Sequence, residues 1–211
     1  MKYTIFSLGN PERAQRVEAI RGAMEGHDEV FIECVNGKDP EQLNANIDRY
    51  GFTHIDQEWR PGEGGLWYTN INAWQWAVDN NETLLTFEDD AIPLQYFNLG
   101  LDEIQSRLGA FDFATLYTPY RTAYQRGMFR LQRARQEHGN VCIAYSPQGA
   151  KKILDLLRQD GIKWPVDIWV FKQHIAKRLN GLSPKETSVV IVDHDFDVPT
   201  NIHEDERIPT R

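Results

Sequence analysis

Two kinds of apolar pattern alternate along the chain, one with the spacing of strands and one with the spacing of helices. Tyr3 to Leu8 is short, apolar and rich in β-formers, and Gly9-Asn10-Pro11 closes it, which predicts a strand and then a turn. From Glu12 to Glu25, Val17, Ile20 and Met24 fall on one helical stripe, with arginines on the other faces. Val30 to Val35 predicts a second strand, ended by Asn36-Gly37. Lys38 to Gly65 is polar and rich in turn formers, which predicts loop with short helical turns. A helix is expected over Leu66 to Asp79, where Trp67, Ile71, Trp74 and Val78 share a face and Asn80-Asn81 supplies the stop.

Thr83 to Phe87 is a near-continuous apolar run, the mark of a strand buried on both faces, and it delivers Glu88-Asp89-Asp90 at its C-terminal end. Phe111 to Tyr117 and Val141 to Tyr145 predict further strands. Ser146-Pro147 then gives an N-cap followed by proline at the first helical position, with Ala150, Ile153, Leu154 and Leu157 as the buried stripe and Gly161 as the end. Asp167 precedes another helix, with Ile168, Phe171, Ile175 and Leu179 as its stripe. Ser188 to Val192 reads as a last strand, and residues 203–211 as a peripheral polar tail. There is no internal repeat and no low-complexity linker. This alternation predicts an α/β, Rossmann-like, mostly parallel sheet flanked by helices, in one domain over residues 1–211.

Composition narrows the function classes only a little. A net charge of −8 argues against a surface built to grip nucleic acid non-specifically, while leaving room for a local basic strip. Cys34 and Cys142 lie far apart with no CxxC spacing, so a structural zinc site is not expected and two buried thiols are. The apolar start is too short for a signal peptide and no segment approaches membrane-spanning length, which sets the expectation of a cytoplasmic protein with no membrane span.

Three consecutive carboxylates after a buried strand call for a physical reason, because like charges at that spacing repel and a strand end is partly desolvated. A bound Mg²⁺ or Mn²⁺ resolves the conflict, taking one or two carboxylates together with phosphate oxygens and water. Ligands of open α/β sheets also bind outside the carboxyl ends of the strands, where this cluster falls. The competing reading is a solvated loop whose acids cap a following turn, and the pattern alone leaves both open.

The stretch Gly62-Glu63-Gly64-Gly65-Leu66-Trp67-Tyr68-Thr69-Asn70, continuing through Ala73-Trp74-Gln75 to Phe87-Glu88-Asp89-Asp90, resembles the signature of glycosyltransferase family 25. Other blocks agree in order: Leu8 with Arg13 and Arg16, Val35-Asn36-Gly37-Lys38, Ala144-Tyr145-Ser146 with Gly149-Ala150-Lys151-Lys152, Pro165-Val166-Asp167, and Thr200-Asn201-Ile202. Asn70 stands where the family usually carries His, and Ser7 where it usually carries Asn.

The resemblance implies a GT-A fold and a metal-dependent, inverting transfer of a hexose from a nucleotide-diphosphate sugar, most simply a UDP-hexose, to a hydroxyl acceptor. It implies Asp90 as the main ligand of Mn²⁺ or Mg²⁺, with Glu88 and Asp89 holding donor hydroxyls or metal-bound water. A further ligand is expected from His194 or His203, each of which is otherwise a surface residue. Asp167 matches the position of the base, and an Asp before an amphipathic helix is equally a good N-cap. Gly62 and Gly65 would let backbone N–H groups approach the donor beside Thr69 and Asn70, or simply form a tight turn. Arg13 would reach the nucleotide, or lie on a solvated helix face. Trp67 or Tyr68 would face a ligand, with Trp74 in the core.

The basic run Arg121, Arg126, Arg130, Arg133, Arg135 fits a lid over donor phosphates, a seat for an anionic acceptor such as a phosphorylated glycan or modified DNA, or an exposed helix face. Two other function classes share the acidic cluster: a metal-dependent phosphohydrolase or nuclease, and a nucleotide-sugar-binding module without catalysis.

Overall fold

The structure is a computed structural model that describes residues 1–52, 60–117, 122–123, 131–134, 139–185 and 187–192. In chain order the elements begin with β1 (Lys2–Phe6), a 3-10 turn (Pro11–Arg13), α1 (Ala14–Ala23), β2 (Asp28–Glu29), α2 (Pro40–Tyr50) and α3 (Pro61–Asn80). Next come β3 (Leu84–Glu88), β4 (Ala91–Pro93), α4 (Phe97–Ser106), β5 (Phe113–Thr115), β6 (Thr122–Ala123), β7 (Leu131–Arg133) and β8 (Cys142–Tyr145). The last are α5 (Pro147–Asp160), α6 (Val166–Ile175), β9 (Gly181–Pro184), β10 (Thr187–Ser188) and β11 (Val190–Val192).

Seven strands form the main sheet in the order β2-β1-β3-β8-β5-β9-β7. β1 runs parallel to β2 and β3, and β5 parallel to β9, while β8 is antiparallel to both β3 and β5, and β7 to β9. Strands β2, β1, β3, β5 and β9 therefore point the same way, and the sheet is mostly parallel and Rossmann-like as the alternation predicts. Two small pairs, β4 with β11 and β6 with β10, lie outside it. One face of the sheet is covered by α3, α5 and α6, whose Trp67, Ile71, Trp74, Ile153, Leu157, Trp169 and Val170 pack together. The other face is covered by α1 and α4 through Ile20, Phe97, Leu101 and Ile104.

Local signals set several boundaries. Ser146 accepts the Gly149 N–H at 3.0 Å and caps α5 with Pro147 behind it, and Gly161 closes that helix. Asn81 ends α3 in the left-handed conformation, at φ 52°. Five expectations are corrected. The polar stretch after Lys38 contains an eleven-residue helix, α2, with Asp39 accepting from Glu41 and Gln42 N–H, Pro40 at its start and left-handed Gly51 at its end. Helix α3 starts at Pro61, five residues before Leu66, which carries Trp67 and Tyr68 into its second turn and buries both. Trp67 packs edge-on against Trp169 at 5.8 Å and donates to the Trp164 carbonyl, so neither ring faces a ligand.

Val30 to Val35 is not a strand: after the Val30 N–H, which donates to the Tyr3 carbonyl at 2.7 Å, α3 side chains take two of its backbone groups, Thr69 Oγ1 accepting the Val35 N–H and Asn72 donating to the Glu33 carbonyl. The ladder with β1 is confined to Asp28 and Glu29. In α6 the buried positions are Val166, Trp169, Val170 and Phe171, whereas Ile175 is half exposed and Leu179 lies beyond the helix end. That helix packs against α3, and its His174 accepts the Gly181 N–H of β9, so a single-stripe phase misplaces its inner face.

Candidate functional site

Strand β1 is the point where the chain reverses its progress across the sheet: β2 lies on one side of it and β3 on the other. The carboxyl ends of β1 and β3 diverge into loops there, which is where open α/β sheets place ligands. A cavity of about 420 Å³ occupies this spot. Its walls come from the loop after β1 (Ser7 to Pro11, with Arg13), the loop before α2 (Val35 to Lys38), the start of α3 (Gly62, Leu66, Thr69) and the end of β3 (Glu88, Asp89, Asp90).

The pleat decides where the three acids point. Leu84 packs with the α3 and α5 side of the core, and Leu85 and Phe87 with the α1 and α4 side. Continuing that alternation, Glu88 turns toward α3 and α6 and Asp89 toward α1. The neighbours match. Burial first, then the charges of Asp90 and Asp167, push the Glu88 carboxyl up to about 8, against a hydrogen bond from Asn140. Asp89 is raised by burial too, and is offset by a hydrogen bond with Ser7 and by the charges of Arg13 and Arg16. The register explains the Ser7 contact, since Phe6 stands opposite Glu88 and the next residue of each strand follows.

Three buried polar atoms on this cavity's walls have no hydrogen-bond partner among the described residues: Asp89 Oδ2, Asp90 Oδ1 and Arg13 Nη1. Unmatched buried acceptors are costly, and a divalent cation or water would complete them. Among the described residues no group of three or more His, Cys, Asp or Glu gathers as a ready metal cage. Sites that lack such a cage hold Mg²⁺ or Mn²⁺ with one or two carboxylates together with phosphate oxygens and water. The residues therefore fit a divalent ion brought in with a phosphate ligand, Asp90 and Asp89 being its nearest available acceptors.

Arg13 is buried, 5% exposed, rather than on a solvated face, because the 3-10 turn capped by Asn10 tucks it under the cavity. Gly62 lines the cavity at the first turn of α3, whose cap residue Arg60 makes no side-chain cap bond. Gly65 serves a different purpose: a Cβ there would sit 2.4 Å from the Val35 carbonyl oxygen, so its lack of side chain lets the 35–37 loop lie against the helix. Gly37 makes the reciprocal contact, a Cβ there meeting Pro61 O at 1.5 Å. Thr69 lines the wall, but its hydroxyl is committed, accepting from Val35 and donating to the Gly65 carbonyl. Asn70 is fully buried and bonds Leu66 O and Asn140 behind the cavity.

Asp167 sits in the first turn of α6 and does not cap it, Pro165 being the cap residue. It accepts the Gly139 N–H at 2.8 Å and lies close enough to Glu88 to raise that carboxyl. His194 and His203 lie outside the described residues, as do Arg121, Arg126, Arg130 and Arg135, while Arg133 is exposed on β7. Ser7 and Asn140 complete the surroundings of the acids, and Asn140 carried no local signal beyond a Gly-Asn pair before a strand. Cys34 forms part of the cavity wall with its thiol pushed up to about 11 by burial. Among the described residues no helix is long and apolar enough to cross a membrane.

No protein-family model matches the chain, and no curated protein matches it.

Proposed function

We propose that the protein is a metal-dependent, inverting glycosyltransferase that binds a nucleotide-diphosphate hexose in the cavity at the ends of β1 and β3. The observation that carries this reading is the juxtaposition, in one cavity, of unmatched carboxylate oxygens on Asp89 and Asp90 and an unmatched guanidinium nitrogen on Arg13. A divalent cation and a diphosphate together satisfy both signs, whereas either alone leaves the other unpaired. A cation held by Asp90 and Asp89 would neutralise charge collecting on the departing diphosphate. Arg13 and the first-turn N–H groups of α3 at Gly62 would hold phosphate oxygens.

Asp167 is the base in this reading. It takes the proton of the acceptor hydroxyl as the new carbon–oxygen bond forms and the bond to the diphosphate breaks. Its carboxylate is oriented by the Gly139 N–H, as a base must be. The GT-A assignment, a UDP-hexose as donor, and a glycan rather than modified DNA as acceptor all belong to this proposal.

The test is calorimetric titration of UDP, then of UDP- and GDP-hexoses, with and without Mn²⁺, on wild type and Asp90→Ala. Binding that needs both Mn²⁺ and Asp90 supports the reading and names the donor. No nucleotide binding in any combination sinks it. Phosphate release from a simple phosphodiester with no acceptor present would transfer the acidic cluster to hydrolytic chemistry.

A further inference from the structure

The pairing of β1 with β2 ends where the Val30 N–H donates to the Tyr3 carbonyl at 2.7 Å. Beyond that bond a second cavity, of about 860 Å³, is bounded by residues 29–34, by α1 and by β1 at Ile5. Its wall includes Ser7 to Pro11 and Cys34, which also line the cavity of Asp89, Asp90 and Arg13, so the two meet at the loop after β1.

Val30 and Ile32 pack into the core on the α3 side, so Phe31 between them emerges on the opposite side, on the wall of this cavity and 89% exposed. Leu8, 45% exposed, belongs to the same wall. One exposed apolar side chain needs no explanation, but a phenyl ring and a leucine on a single cavity form an apolar seat whose covering by a ligand is favourable.

The charge of this seat selects its occupant. Among the described residues of the wall Arg21 is the one basic side chain, and it is engaged by Glu29 at 2.9 and 3.1 Å and by Glu18 at 2.6 Å. Glu33 lies on the wall as well, so three carboxylates face one guanidinium. Such a wall repels phosphate but accepts hydrogen bonds from hydroxyls and ring N–H groups. The first cavity has the opposite provision, an unmatched Nη1 on Arg13.

In the donor-site reading the diphosphate lies at Arg13, Asp89 and Asp90, and the reacting carbon faces Asp167 on the α6 side. The second cavity lies on the other side of that diphosphate, beside α1, where the nucleoside end of the donor remains to be housed. We propose, on the basis of that reading, that the second cavity is the nucleoside seat, with the base stacked on Phe31 and its hydroxyl and N–H groups toward the carboxylates. The loop from Ser7 to Pro11 then divides a subsite for the neutral end of the ligand from one for its charged end.

The test compares two probes by calorimetry with Mn²⁺: a nucleotide (UDP or GDP) and inorganic diphosphate, which has no base to stack. Phe31→Ala should weaken nucleotide binding by about fivefold or more, the loss of one base–aromatic stack, and leave diphosphate binding unchanged. Phe31→Trp should retain nucleotide binding. Val17→Trp, which fills the cavity from α1, should weaken nucleotide binding and spare diphosphate. Asp90→Ala should weaken both probes. Wild-type nucleotide affinity in either Phe31→Ala or Val17→Trp overturns the seat. Equal loss of both probes in Phe31→Ala overturns it too, because the ring then acts through the fold or the phosphate site. If wild type binds neither nucleotide, the donor-site reading itself fails and the seat falls with it.

Discussion

Glu88→Gln is expected to stabilise the metal-free protein at pH 8 while changing it little at pH 5.5. Burial, with Asp90 and Asp167 nearby, lifts the Glu88 carboxyl from its ordinary 4.5 to about 8. Between those values the folded state keeps a proton that the unfolded chain releases, so stability is fully present below 4.5 and falls as pH rises toward 8. A full one-proton difference costs about 1.4 kcal/mol per pH unit, or about 3 kcal/mol at most from pH 5.5 to 8. Glu88 is partly open to the cavity, and solvent screening cuts that ceiling to about 1.5 kcal/mol. Gln matches the shape of Glu and has no carboxyl proton to lose. The gap between variant and wild type should therefore widen by about 1.5 kcal/mol between the two pH values, or about 3–6 °C in Tm. Urea unfolding followed by tryptophan fluorescence in EDTA reads it directly. A gap of the same size at both pH values would show that Glu88 titrates as an ordinary exposed carboxyl, and the account of its burial would fail.

Gly37→Ala and Gly65→Ala place a Cβ 1.5 Å from the Pro61 carbonyl oxygen and 2.4 Å from the Val35 carbonyl oxygen, and backbone cannot swing aside as a side chain can. Each should cost about 1–3 kcal/mol or more in thermal unfolding, and a variant as stable as wild type would refute the close approach of loop and helix. With Cys142→Ser as background, Cys34 should alkylate with iodoacetamide at pH 8 at least about tenfold more slowly folded than in urea, because burial holds its thiol near 11 and little thiolate is present. Equal rates would refute that.

The legible parts of the fold are those where one short window holds the whole cause. The run ending at Phe87 yields β3, Ser146-Pro147 starts α5 and Asn81 stops α3. Helix α2 was legible too, since Asp39-Pro40 and Gly51 bracket it, but its partly buried Leu43, Ile47 and Tyr50 are thinly spread among polar residues. The failure at Val30 to Val35 has a different cause. That segment has strand composition, but its backbone is claimed by Thr69 and Asn72 from a helix more than thirty residues away, and no local pattern reports a partner at that range.

The site divides in the same way. Glu88, Asp89 and Asp90 stand out as a cluster in the sequence, and they do gather on one cavity with Arg13 and Gly62. Reading them as a single ligand set overlooks the pleat. Adjacent residues at a strand end leave on opposite faces, so Glu88 joins Asn140 and Asp167 below α3 and α6, while Asp89 joins Ser7 and Arg13 beside α1. A run of acids here is two environments that share a wall, one an inner carboxylate raised by burial beside Asp167 and the other an outer one balanced by arginines. The alternation of Leu84 and Leu85 between the two halves of the core already carried that division. Asn140 was beyond reach for the opposite reason: its amide bonds to Asn70, seventy residues earlier, and only the folded sheet brings the two together.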